Sequence, residues 1–200
     1  MSPESGSAAS HRWHDLPDRT EDPRIRRSPL HRGLIALARR VTRGRSFQFM
    51  RVISIDRRLL RPFLAFNMRL MPRGRLDRRD TEALILRTAW LCRSRYEWTQ
   101  HVAIGRRAGL TEEQIEAIAA DPASEALTDS MRLLLPIVPE LLEQHALAAA
   151  TYEVLARRFE PAQILEATML VGNYAMLAGA LNSFGVPLEE AWAPNGQSSS

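Results

Sequence analysis

Three residues in this chain have the types and spacing needed to move protons: Glu82, and then Glu97 and His101. Residues i and i+4 share one face of an α-helix, so a helix through this stretch sets the Glu97 carboxylate beside the His101 imidazole. On a solvated surface such a pair contributes only a few tenths of a kcal/mol. In a closed pocket the same pair is suited to general acid–base chemistry. Glu82 falls near Ile85 and Leu86, and a carboxylate close to an apolar face is costly unless it is paired. Tyr96 and Trp98 flank the pair as candidate pocket wall. Arg87, Arg93 and Arg95 carry the fork that binds a substrate carboxylate, with Arg87 and Arg95 taken as candidate substrate contacts.

The elements that must position these residues are helical, and no stretch alternates with period two. Asp77 is a candidate N-cap for a helix ending near Leu91, with Glu82 on its apolar side. A short break at 92–95 leads to a helix from Tyr96 to Ala108, closed by Gly109 as a left-handed C-cap. Thr111 with Gln114 resembles a capping box opening a helix from Glu112 to Ala120, which Asp121-Pro122 stops. Upstream, Arg57 to Leu70 reads as helical, with Asp56 as cap and Pro62 either kinking it or marking its true start. Downstream, three helices are expected at about Glu125 to Leu142, Ala146 to Phe159 and Pro161 to Phe184. The first must bend or split at Pro136 and Pro139, and the last is apolar almost all round. The fold class is all-α.

Residues 1–28 show no apolar period and are expected to be disordered or draped. Residues 29–46 are expected to hold an added helix, 47–186 the helical domain and 187–200 a frayed tail. At 200 residues, 45% hydrophobic and 25% charged, the chain has the composition of one globular domain. All 27 basic residues are arginine, the net charge is +4, and the excess is concentrated in the first third. A basic arm ahead of a helix–turn–helix pattern raises nucleic-acid binding as a reading. Glu112, Glu113 and Glu116 argue against it, because they put negative charge on the would-be recognition helix.

Cys92 is the single cysteine, so no internal disulfide and no thiol pair forms within a chain. No secretory signal is visible, and the longest apolar run, Ala167 to Leu181, is interrupted by Gly172, Asn173 and Gly179. A cytoplasmic protein without a membrane span is expected. His11, His14, His31 and His145 sit alone and read as structural or solvated. Glu97 and His101 have only Glu82 as a third metal ligand, so no metal is expected.

The run DRRDTEALILRTAWLCRSRYEWTQHVAIGRRAGLTEEQIEAI, with Gly172-Asn173-Tyr174 and the Leu181 to Val186 ending, resembles the carboxymuconolactone decarboxylase family over roughly residues 47–190. The resemblance implies an all-α, alkylhydroperoxidase D-like fold of about seven or eight helices and a homo-oligomer, trimer or hexamer. It also implies one of two chemistries. In the alkylhydroperoxidase D branch two cysteines and a histidine reduce peroxides, with an upstream glutamate in the relay. Glu82 and His101 match that glutamate and histidine, while Ser94 and Glu97 stand at the two thiol positions. In the decarboxylase branch the cysteines are also missing and a glutamate precedes the histidine. The resemblance therefore implies cofactor-free decarboxylation of a small carboxylated or lactone-like metabolite of aromatic catabolism. His101 is then the proton donor, Glu97 its orienting partner and Glu82 the completion of the relay. The alternatives are a family member without the dithiol that remains peroxidase-like, and a non-catalytic oligomeric scaffold.

Overall fold

The computed structural model describes residues 13–14, 16–23, 25, 48–71 and 73–189. Among them are nine helices and no strand: α1 Phe49–Ile53, α2 Arg57–Leu70, α3 Arg78–Leu91, α4 Arg95–Ala108 and α5 Glu112–Ala120, then α6 Asp129–Leu134, α7 Ile137–Gln144, α8 Ala149–Ala156 and α9 Pro161–Ser183. The helix expected within 29–46 lies outside the described residues.

The molecule is built around α3. Nine of its fourteen residues are buried, from Asp80 through Leu86 with Thr88 and Ala89, so it is surrounded on nearly every side. Helices α4 and α9 lie against it most extensively, and α5, α6 and α7 also pack on it. Two apolar clusters result. Leu84 and Ile85 face one formed with Leu134, Ile137, Val171, Tyr174 and Leu181. Ala83 and Leu86 face the other, with Leu110, Ile115, Ile118 and Met131. At Gly105 of α4 the Leu110 side chain folds back onto the helix: an added Cβ would stand 2.8 Å from it, and 3.6 Å from Leu86 of α3.

Local sequence explains the boundaries. The Asp77 carboxylate accepts from Arg79 N–H at 2.8 Å and opens α3. Gly109, at φ 98°, ends α4 in the left-handed region. Thr111 and Gln114 form the reciprocal capping box of α5. Asp56 caps α2 through Arg58 N–H, so that helix starts at Arg57 and Pro62 lies inside it.

The expected helix over Glu125 to Leu142 is two helices and begins later, because the Thr128 hydroxyl accepts from Met131 N–H and caps α6. Pro136 separates α6 from α7, whereas Pro139 sits in the first turn of α7, where a missing N–H costs little. Helix α8 is shorter than the expected Ala146 to Phe159. Helix α9, with 23 residues, is by length and composition apolar enough to cross a membrane, and half of its most apolar window is buried within the protein.

The ends of the described chain are drawn onto the bundle. Arg19 N–H donates to Phe184 C=O at 2.8 Å, and Trp13 packs edge-on against Trp90 with centroids 5.4 Å apart. Glu189, in the stretch expected to fray, is buried. Its Oε1 accepts from Gln48 N–H at 2.8 Å and from the Tyr96 hydroxyl at 2.8 Å.

Candidate acid–base site

Helix α4 presents Glu97, Gln100, His101 and Ile104 along one stripe, and this stripe forms a wall of a cavity of about 380 Å³. The facing walls come from Phe49 of α1, from Phe63, Leu64, Asn67 and Met68 of α2, and from Tyr174, Leu177 and Leu181 of α9. Met71 and Tyr96 complete the lining. The volume lies at the lower end of the usual range for small-molecule pockets, and most of the lining is apolar.

Glu82 lies behind this wall, at 0% exposure. Its Oε2 is 2.7 Å from His101 Nδ1, and its Oε1 forms an ion pair with Arg78, one turn earlier in α3, at 2.5 Å. Arg78 also donates to the Met71 carbonyl at 2.9 Å. The buried carboxylate is thus held from both sides, which resolves its cost near an apolar face. With Nδ1 committed to Glu82, Nε2 is the imidazole nitrogen left for the cavity. The Tyr174 ring meets the imidazole edge-to-face, with centroids 5.1 Å apart, and fixes its plane.

Glu97 has the opposite environment. It is 2% exposed, and neither carboxyl oxygen has a hydrogen-bond partner. Burial pushes its pKa up to about 8, and the nearby Ser94 hydroxyl offsets only part of that rise. Two carboxyl groups one helix apart therefore occupy distinct states: Glu82 is paired, and Glu97 retains its proton near neutrality. A buried carboxyl pushed upward by desolvation at a cavity wall is a usual candidate for the acid role.

Glu82, Glu97, His101 and Tyr96 come together at this cavity. Trp98, Arg87 and Arg95 do not line it. Trp98 turns toward Trp90 and Trp13, with centroids 5.0 Å and 6.3 Å away. The Arg87 guanidinium donates to the carbonyls of Ile118 and Ala119 at 3.0 and 2.7 Å, closing the C-terminal end of α5. Arg95 is exposed, as is Arg93, whose φ is 53°. Cys92 is partly buried, and desolvation followed by the Glu97 charge raises its thiol to about 11, away from reactive thiolate character.

The contributions of Arg78, Gln100 and Glu189 were not anticipated. Arg78 carries an i, i+4 signal to Glu82, and Gln100 an i+3 signal to Glu97. Glu189 carries no local signal, since its partners lie far away in sequence. Among the described residues no three His, Cys, Asp or Glu side chains gather as metal ligands.

Residues 57–139 match the family model described as Carboxymuconolactone decarboxylase family. No curated protein matches the chain. Solved structures match in fold. An uncharacterized peroxidase-related protein from Silicibacter sp. TM1040 is similar with a TM-score of 0.71 at 15% identity, over 96% of this chain and 99% of that one. An alkylhydroperoxidase AhpD core protein, also described as peroxidase-related, from Ralstonia eutropha JMP134 gives 0.72 at 17%, over 91% and 95%. A protein of unknown function from Agrobacterium tumefaciens, described as a putative antioxidant defence protein AhpD, gives 0.58 at 21%, over 64% and 88%. At these identities the likeness is one of fold.

Proposed function

We propose that this chain, which resembles the carboxymuconolactone decarboxylase family over residues 57–139, is a cofactor-free acid–base enzyme that decarboxylates a small carboxylated or lactone-like metabolite. The observation that carries this reading is Glu97: a fully buried carboxyl without a partner, on the same cavity wall as an imidazole anchored by Glu82. The structure's fold neighbours include proteins described as peroxidase-related. Peroxide reduction by an internal dithiol would need a second cysteine, and this chain has one.

The chemistry follows from the environments. A substrate carboxylate in this apolar cavity loses the hydration that stabilises it, while the dispersed charge of a dienolate suffers less. Carbon dioxide leaves as the electron pair of the broken C–C bond moves into the conjugated carbonyl. The dienolate is then protonated on carbon. Glu97, neutral near pH 7, supplies that proton, and His101 Nε2 relays a proton from solvent back to Glu97. One proton is consumed per carbon dioxide released, and Glu82 with Arg78 keeps the imidazole oriented throughout.

The test is turnover in deuterated water of unsaturated γ-lactone acids, followed by carbon dioxide release and deuterium at the ring carbon. Glu97→Gln and His101→Ala are expected to lower turnover by about 10²-fold or more. Unchanged turnover in both variants would remove the assignment.

A further inference from the structure

Beside the acid–base pair, helix α4 carries a second polar pair at i and i+4, Tyr96 and Gln100. Both are buried, and both line the cavity. Their polar ends meet on one atom. Glu189 Oε1 accepts from the Tyr96 hydroxyl at 2.8 Å, from Gln100 Nε2 at 3.4 Å and from Gln48 N–H, just ahead of α1, at 2.8 Å. Phe49 N–H donates to the Tyr96 hydroxyl oxygen at 3.2 Å, which directs the hydroxyl proton at the carboxylate. Burial, followed by the Glu189 charge, pushes the Tyr96 pKa upward and keeps that proton in place.

Donors that converge on one oxygen are what a carboxylate needs in order to leave water. The carboxylate that meets them here arrives on a short arm. The chain leaves α9 at Gly185, in the left-handed region at φ 59°, and runs without regular structure through Pro187 to Glu189. Val186 and Leu188 are partly buried where they pack against the core. The arm thus brings to the cavity wall the same group that a small organic acid carries.

We propose that Tyr96, Gln100 and the Gln48 N–H form a carboxylate-binding subsite of the cavity, filled from within the chain by Glu189, and that a small organic carboxylate with an apolar body takes this subsite by displacing the arm. The tether gives Glu189 an effective concentration on the order of millimolar, so a carboxylate with little hydrocarbon competes poorly. A hydrocarbon body in the apolar cavity adds about fourfold in affinity per buried methylene and turns the competition. The proposal concerns binding, and it does not rest on the acid–base reading of Glu97 and His101.

The test titrates hexanoate, with hexanamide as its uncharged match, calorimetrically into the full chain and into Glu189→Ala near pH 7. Removing the tethered competitor is expected to tighten hexanoate about tenfold or more and to leave hexanamide within about threefold. No gain for hexanoate, or an equal gain for hexanamide, overturns the proposal. Methyl NMR of the unaltered protein reads the displacement without any substitution: bound hexanoate is expected to move the Leu188 methyls to the positions of an unstructured chain. Leu188 methyls that stay in place as hexanoate is raised to about 50 mM, whether or not it binds, make Glu189 a permanent latch and overturn the proposal as well. Because turnover is not read, loss of the acid–base assignment through active Glu97 and His101 variants leaves these outcomes standing.

Discussion

A carboxyl group sealed from water with no cation beside it keeps its proton, and Glu97 is such a group. Its value rises from 4.5 to about 8 on folding. Between those values the folded protein holds a proton that the unfolded chain has released, so stability falls as pH rises through that window. The stabilisation is complete below the unfolded value and is lost as pH passes through about 8. Glu97→Gln removes this dependence. Urea denaturation at about pH 5 and about pH 9 is expected to show a large loss in the unaltered protein and a much smaller one in the variant. Parallel losses in the two proteins would mean that Glu97 ionises normally.

Glu82 has the opposite character and needs its partners. Glu82→Ala leaves His101 Nδ1 unsatisfied and is expected to cost about 1–3 kcal/mol in the same measurement. No measurable cost would indicate that the imidazole finds another partner.

At the scale of elements, short-range signals were legible in the sequence and long-range ones were not. Helices α3, α4 and α5 followed from Asp77, Gly109 and the Thr111 capping box, because each of those devices acts within four residues. The pairing of Glu82 with His101 was legible only through the family motif. Helix α6 began four residues later than expected because Thr128, not an upstream residue, caps it. The pocket walls from α1, α2 and α9 were not foreseen, since nothing in the run around Phe63 or Leu177 records what it faces. Glu189 lies where the sequence predicts a frayed tail, yet it joins α1 to α4 through Gln48 and Tyr96. Glu189→Ala is expected to cost about 1–3 kcal/mol by leaving buried donors unpaired. Thr111→Ala, at the α5 cap, is expected to cost about 1 kcal/mol. A thermal-denaturation series reads both, and an Ala at 189 without effect would mean that the C-terminal segment does not hold α4.

At the scale of the whole molecule, α9 carries core on one side and an open apolar stripe on the other. Leu165, Met169 and Met176 are 62%, 45% and 59% exposed and recur at helical spacing. The family resemblance implies a trimer or hexamer, and this stripe is the surface we assign to such contacts. Light scattering is expected to give a multiple of the 22.6 kDa chain mass, falling toward one chain in a Leu165→Arg, Met176→Arg double variant. A single-chain mass in the unaltered protein would contradict that assignment.

The proposed acid chemistry depends most on the protonation of one carboxyl group, and that is directly measurable. A carbon-13 NMR titration of the glutamate side-chain carboxyls, with Glu97→Gln to assign the resonance, is expected to place the Glu97 midpoint near 8. A midpoint near the ordinary 4.5 would mean that Glu97 is ionised at neutral pH, and the proposed acid would hold no proton to give.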